Sequence, residues 1–157
     1  LIPLDEYCVG EGNIYVCKDI QNITLENVSH NIDDAYRVLS QVFSEDINEK
    51  NYPRWYTDVS HRVRHKVSRV YTYRNICSGT AYCNIDGQLL ITQLATVESA
   101  RGQGLATKMI HHIASHEKDV KRIVLLSQNK TSDRFYEKIG FTFYKNWYYY
   151  VREEKKD

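Results

Sequence analysis

Several features that mark exported, membrane-spanning or nucleic-acid-binding proteins are missing from this sequence. Its 157 residues contain 21 Lys and Arg against 20 Asp and Glu, a formal net charge of +1. No excess of one sign therefore indicates a surface for nucleic acid or for an anionic membrane. No apolar stretch approaches the ~20 residues that a bilayer span needs, and no secretory signal opens the chain. We expect a cytoplasmic protein that binds neither nucleic acid nor a membrane.

Cysteine is scarce, and its spacing matches no familiar metal site. Cys8, Cys17, Cys77 and Cys83 form no C-x-x-C pair, and no group of Cys and His has zinc-site spacing. Four cysteines could form two disulfides, but a chain with 42% hydrophobic residues has little need of such cross-links. We expect reduced, buried thiols and no metal.

Strand-like and helix-like segments alternate along the chain, which has the length of one domain. Asp86-Gly87 is typical of a hairpin turn between two strands. Residues 1–12 show no regular pattern. The pattern predicts helices over 31–43, 54–67, 104–116 and 131–140, and strands over 13–17, 23–28, 68–75, 77–85, 88–97 and 121–127, with 141–153 as two strands or one bent ribbon.

A strand–helix–strand unit over 89–97, 104–116 and 122–127 sets the expected centre of the sheet. Such a crossover places its two strands parallel and is right-handed. The strand over 88–97 is apolar on both faces, as expected for a central strand. The sequence therefore predicts a single α/β domain with a mixed sheet.

Between that strand and the 104–116 helix lies the stretch "ARGQGLATK" (100–108). The first amides of a helix lack intrahelical partners and carry the positive end of the helix dipole. Gly102 and Gly104 would let a phosphate approach the main chain, and Arg101 would add a charge-assisted contact. The same two glycines could instead do no more than shape a turn.

Arg101-Gly102-Gln103-Gly104-Leu105-Ala106 resembles the R/Q-x-x-G-x-G/A signature of the GNAT superfamily of N-acetyltransferases. "NKTSDRFYEKIGF" (129–141) resembles the second signature of that family. The resemblance covers about residues 22–152 and implies a GNAT-like domain over 21–157, with a central parallel pair splayed around the coenzyme and helices on both faces. Residues 1–20 are expected to be an irregular extension, which could be the end of a truncated preceding segment.

The resemblance also implies acetyl-CoA as co-substrate and assigns residues to it. Tyr136 would face the thioester sulfur as the general acid, and Asn129 would contact the pantetheine arm. Main-chain groups of Leu94, Ala95 and Thr96 would pair with the pantetheine, and the pyrophosphate would rest on Gly102, Gln103, Gly104, Leu105, Ala106 and Thr107.

The implied reaction is direct attack of a neutral amine on the thioester. Proton transfer from a phenol (pKa ~10) to a thiolate (~8.5) is uphill by about 2 kcal/mol, so Tyr136 would act mainly as a hydrogen-bond donor. The base stays open between a water chain and several side chains: Glu98, Asp58, His61, His65, Glu45, Asp46 and Glu49.

Other polar and aromatic groups have plainer interpretations. His61 and His65 supply too few ligands for a metal, and His112 and His116 are expected on the margin of the apolar stripe of the 104–116 helix. The tail "NWYYYV" could cap the acceptor site or form a dimer seam, although packing alone explains it. The partners expected are acetyl-CoA and an amine, in a monomer or homodimer.

The sequence bears on two further classes of function. A coenzyme-A-binding regulatory module without turnover remains the alternative, because no base stands out. A dinucleotide-binding enzyme is excluded, because no G-x-G-x-x-G follows the first strand. The acceptor amine and the preferred acyl chain stay open.

Overall fold

The structure is a computed structural model that describes the backbone of residues 7–152. Within this range the chain forms seven strands and four α-helices, and none of these helices is long and apolar enough to cross a membrane. The strands are β1 (Tyr7–Cys17), β2 (Val28–Ser29), β3 (Arg69–Tyr73), β4 (Cys77–Ile85), β5 (Gln88–Thr96), β6 (Arg122–Ser127) and β7 (Thr142–Arg152). The helices are α1 (Ile32–Val42), α2 (Tyr52–Arg64), α3 (Leu105–His116) and α4 (Lys130–Lys138).

The chain divides into two compact units, which we describe separately. The central unit is Lys18–Val124, and the terminal unit combines Leu1–Cys17 with Leu125–Asp157. Strand β6 begins in the first unit and ends in the second. The strands follow the hydrogen-bonded order β2-β3-β4-β5-β6-β1-β7, a mixed α/β sheet as the sequence predicts. The proposed domain boundary at residue 20 stays a prediction.

In the central unit, β3, β4 and β5 form an antiparallel meander. The β4–β5 turn has positive φ at Asp86 (52°) and Gly87 (81°), which confirms the predicted hairpin. β5 and β6 are parallel, as the crossover predicts, and pair from Gln88↔Arg122 to Leu90↔Val124. β5 then continues to Thr96 beyond the end of this parallel ladder.

The core of the central unit comes from helices packed on these strands. Asn31 caps α1 by accepting from the amides of Asp33 and Asp34, the usual role of asparagine at this position. α1 and α3 both pack against β3, β4 and β5. The buried side chains include Val38, Leu39, Val70, Tyr71, Leu89, Ile91, Met109, Ile110, Ile113 and Ile123.

The predicted strand over 23–28 is wrong except for its last residue. Only Val28–Ser29 is a strand, and the preceding segment hydrogen-bonds to α3 instead. The amides of Gln21 and Leu25 donate to Nδ1 of His111 (3.2 Å) and of His112 (2.9 Å). The two imidazoles therefore accept the backbone hydrogen bonds that a neighbouring strand would otherwise accept.

In the terminal unit, β1 and β7 form a long antiparallel ribbon. The pairing runs from Tyr7↔Arg152 to Val16↔Thr142, with an irregularity between Ile14 and Tyr15. The expectation of irregular structure is therefore wrong for residues 7–12, and the predicted strand over 13–17 is confirmed as the end of β1. Residues 1–6 lie outside the described range. The final aromatic segment is one strand rather than two.

The prediction of buried thiols holds for Cys17 and Cys77 and only in part for Cys83, which is half-buried. Cys77 and Cys83 are free thiols. Burial raises the pKa of the Cys77 thiol, which makes it a poor nucleophile. The side chain of Cys8 lies outside the described residues.

Candidate functional site

The glycine-bearing stretch opens α3 in the central unit. β5 ends at Thr96, a short 3-10 helix spans Glu98–Ala100, and α3 begins at Leu105 with Gly104 as its N-cap. Gly102 and Gly104 have φ of 79° and 72°, a left-handed conformation that glycine adopts without steric cost. A Cβ built on either glycine would have no atom within 4 Å, so both lie against open space.

The amides of residues 102–107 are the chemically distinctive feature of this stretch. The amides just before them, of Ala100 and Arg101, are used by the 3-10 turn. The first helical bond runs from the Lys108 amide to the Gly104 carbonyl at 3.0 Å. Within residues 7–152, none of the six intervening amides donates to another protein group. Six adjacent donors at the positive end of a helix form a site suited to a phosphate-bearing anion.

Arg101 contributes to the shape of this loop as well as to its charge. Its Nε donates to the carbonyl oxygen of Thr96 at 3.1 Å, which links the end of β5 to the loop. The side chain is exposed, and the bond uses Nε alone, so the two terminal nitrogens keep their donors for an anion.

A β-bulge lies just before the residues predicted to pair with pantetheine. Ser78 pairs with Ala95 and Thr80 with Thr92, so two β5 residues oppose one on β4. Gln93, within the bulge, has φ of 50°, a conformation that costs a non-glycine residue about 1 kcal/mol or more. Such bulges redirect the chain and are frequent beside active sites. This bulge could not be predicted from the sequence, because glutamine is not typical of a positive φ.

In the terminal unit, Asn129 starts α4. Its Oδ1 accepts from the Ser132 amide at 2.8 Å, and its carbonyl oxygen accepts from Ser127 Oγ at 3.0 Å. The side chain is thus an N-cap, a role the signature alone does not state. The two Nδ2 donors stay available for a ligand, so the predicted pantetheine contact stays a prediction.

Tyr136 lies two residues before the end of α4 and is half-buried. Its ring contacts Tyr15 edge-on at 5.8 Å between centroids and Phe141 at 6.2 Å. In the part of the chain that the structure describes, its hydroxyl makes no hydrogen bond to protein. Burial raises the pKa of Tyr136, and the Asp133 carboxylate raises it further. The phenol therefore stays protonated at neutral pH and is a hydrogen-bond donor rather than a strong acid.

No single base emerges among the candidates. Asp58 and His61 lie with Arg54 and Arg64 along an open groove of about 620 Å³ on α2, and the His61 and His65 rings stand 4.4 Å apart. These side chains are exposed. In residues 7–152 no group of three or more His, Cys, Asp or Glu could hold a metal ion.

The prediction that His112 lies on the margin of the apolar stripe is wrong, and the burial of the neighbouring His111 was not predicted from the sequence. His112 is 4% exposed and His111 is 2% exposed, because the segment around residues 21–25 covers them. Burial lowers the pKa of His111 and, with the nearby cations, lowers that of His112 to about 4. Of the two residues predicted on the margin of the apolar stripe, only His116 is exposed. Both buried rings are structural acceptors.

Comparison with known proteins places this geometry in a family. Residues 66–143 match the family model of the acetyltransferase (GNAT) domain. The chain belongs to this family of acyltransferases. Among curated proteins, no sequence matches the chain significantly.

Solved structures share the fold at low sequence identity. A GNAT-family protein from Novosphingobium aromaticivorans has a TM-score of 0.62 at 14% identity, over 90% of this chain and 63% of its own. A GCN5-related N-acetyltransferase from Sphaerobacter thermophilus has 0.61 at 12%, over 95% and 54%. A Clostridium acetobutylicum protein solved with acetyl-CoA has 0.52 at 19%, over 83% and 90%. The chain spans about three fifths of the length of several such structures.

Proposed function

We propose that the chain is an N-acetyltransferase that moves an acetyl group from acetyl-CoA to a primary amine of a small molecule or peptide. The observation that carries this proposal is the run of six amides, residues 102–107, without protein acceptors at the start of α3. Family membership supports the same chemistry, and the Clostridium acetobutylicum relative was solved with acetyl-CoA.

In this proposal the central unit supplies the coenzyme contacts. The diphosphate accepts hydrogen bonds from the amides of residues 102–107, and the terminal nitrogens of Arg101 add charge. The pantetheine arm pairs with main-chain groups of Leu94, Ala95 and Thr96. The bulge at Gln93 supports this assignment, because it changes the direction of the main chain immediately before these residues. An amide N–H of this segment would also stabilise the oxyanion.

The terminal unit supplies the leaving-group contact. The amine nitrogen attacks the thioester carbonyl, the C–S bond breaks, and the sulfur leaves as a thiolate that the Tyr136 hydroxyl stabilises. The raised pKa of Tyr136 makes full proton transfer to sulfur less favourable than for a free phenol. Tyr136 thus donates a hydrogen bond during C–S cleavage, and Asn129 Nδ2 donates to the pantetheine.

The amine loses its proton to solvent through water in this proposal. The exposed carboxylates and imidazoles on and before α2 stay secondary candidates, because no hydrogen bond or burial singles one out. Monomer or homodimer, and cytoplasmic location, stay predictions.

Two assays test the proposal in sequence. Isothermal calorimetry should detect binding of acetyl-CoA and none of NAD. A free-thiol release assay against a panel of primary amines should then show amine-dependent coenzyme A release. Binding without release for any amine would favour the alternative, a regulatory coenzyme-A-binding module, which the lack of an evident base supports. No binding of acetyl-CoA would contradict both.

A further inference from the structure

Two side chains of β1 tie α4 in place. Asn13 Nδ2 donates to Asp133 Oδ2 at 3.1 Å, and the Tyr15 hydroxyl donates to Glu137 Oε1 at 3.0 Å. Asn13 and Tyr15 are two apart and share one face of the strand. Asp133 and Glu137 are four apart and share one face of the helix. The two bonds therefore fix one face of α4 at two points a turn apart.

Tyr136 lies between these two ties in sequence. Its ring meets the edge of the Tyr15 ring at 5.8 Å with an interplanar angle of 64°, an attractive aromatic geometry. Tyr15 is 2% exposed, so this contact is made by a side chain that is itself held by its surroundings. The Tyr136 hydroxyl, by contrast, has no partner within residues 7–152. The Tyr15 hydroxyl is therefore used within the protein, whereas the Tyr136 hydroxyl can donate to a ligand.

We propose that Tyr15 is a positioning residue for Tyr136: its ring packs against the Tyr136 ring, and its hydroxyl holds α4 through Glu137. The inference rests on the proposed role of Tyr136 as donor to the thiolate. β1 lies outside residues 66–143, the region that matches the family model. The chain thus uses a segment beyond the matched domain to orient the side chain proposed to assist C–S cleavage.

Tyr15 is not itself the donor to sulfur. Its hydroxyl proton is committed to Glu137, and burial with the neighbouring carboxylates raises its pKa to about 12. Asn13 has a supporting role, because its bond to Asp133 fixes the preceding turn of α4.

The test is a double-mutant cycle on turnover in the full chain. Tyr15→Phe keeps the ring and removes the bond to Glu137. We expect kcat to fall about 3–10-fold with the KM for acetyl-CoA unchanged, and no further fall when Tyr15→Phe is added to Tyr136→Phe. An equal fall in both backgrounds would show that Tyr15 acts independently of Tyr136 and would overturn the inference. Tyr82→Phe, at an exposed tyrosine on β4, is the matched control and should leave kcat unchanged.

Variants of the acceptor separate this contact from general stability. Glu137→Gln retains an oxygen that accepts from Tyr15 and should keep near-normal kcat. Glu137→Leu removes the acceptor and should reproduce the kcat loss of Tyr15→Phe. If Gln and Leu behave alike, the hydrogen bond does not position Tyr136, and the inference fails. These variants also decide the matter if Tyr15→Phe does not fold.

A readout without activity separates this inference from the proposed function. With 3-fluorotyrosine at position 136, the ¹⁹F resonance should move in Tyr15→Phe but not in Tyr82→Phe. An unmoved resonance in Tyr15→Phe would overturn the positioning role whatever the enzyme does. If the resonance moves but Tyr136→Phe retains full turnover, the positioning stands and the proposed role of Tyr136 fails.

Discussion

The central unit and the terminal unit are each stabilised internally by a different kind of interaction. Almost all of the largest fully buried side chains are in the central unit, including Leu39, Leu89, Met109 and Ile113. In the terminal unit α4 buries no residue fully, and side-chain hydrogen bonds tie it to β1. β7 exposes five aromatic side chains, Phe143, Tyr144, Tyr148, Tyr149 and Tyr150.

Because of this difference, we expect the two units to contribute to different steps of the proposed reaction. In the central unit, an apolar core holds a helix whose first amides are proposed to bind the coenzyme. In the terminal unit, directional hydrogen bonds hold the helix that carries Tyr136. Substitutions in the first should change stability and coenzyme affinity, whereas substitutions in the second should change turnover more than stability.

The largest expected effect is the loss of a buried side chain in the central unit. Ile113→Ala removes most of a fully buried side chain of α3 and should lower the free energy of unfolding by about 2–5 kcal/mol. Ile139→Ala, the same change at a half-buried site beside α4, should cost clearly less. Urea unfolding of both variants measures the difference. Equal losses would contradict the contrast between the units.

The second largest effect is expected on the turnover number. Tyr136→Phe keeps the ring and removes the hydroxyl, so turnover should fall about 10–100-fold, equivalent to about 1.4–2.7 kcal/mol of transition-state stabilisation. Coenzyme affinity by calorimetry should be nearly unchanged. Unchanged turnover would remove Tyr136 from the mechanism.

A third prediction concerns the loss of stability at acidic pH. His111 and His112 accept backbone hydrogen bonds through Nδ1 and so must be neutral in the folded chain. The pKa of His112 falls to about 4, so between pH 6.5 and 4 the unfolded chain binds more protons than the folded one. Stability contributed by these rings is therefore complete above pH 6.5 and is lost as pH falls toward 4.

The measurement is the free energy of unfolding at several pH values between 7 and 4. His112→Asn places an amide oxygen near the position of Nδ1 without a titratable group, so its stability should depend less steeply on pH. Identical pH dependence for the variant and the parent would exclude His112 as a source of the effect.

The smallest effect expected is on coenzyme affinity. Gly102→Ala adds a methyl group beside the open amides at φ of 79° and should weaken acetyl-CoA binding about 3–10-fold. Gly140→Ala has comparable strain, at φ of 96° with equal open space, but lies in the terminal unit. Both should lose about 1 kcal/mol of stability, and only Gly102→Ala should lose affinity. Equal affinities of the two variants for acetyl-CoA would contradict the assignment of the diphosphate to the loop at residues 102–107.

Elements with strong periodicity were predicted well from the sequence. Leu105, Met109 and Ile113 repeat every four residues, and α3 follows this repeat to His116. Asp86-Gly87 marked its hairpin, because few dipeptides adopt two positive φ values easily. Arg101–Ala106 indicated the family, since glycines in this position permit the amides to stay open.

What could not be predicted depends on contacts between distant segments. The stretch before Val28 alternates like a strand, but its amides bond to His111 and His112 about 90 residues away. β1 forms because β7 offers it a ladder, and no local pattern before residue 13 signals this pairing. The importance of Tyr15 and the bulge at Gln93 likewise appear only once the strands are paired.

The most direct test of the central claim observes the amides themselves. In ¹H–¹⁵N spectra titrated with coenzyme A, the account predicts the largest shifts at the amides of residues 102–107, and none there with acetyl-pantetheine, which lacks the diphosphate. Coenzyme A that binds without moving these resonances would contradict the claim that this helix start holds the diphosphate.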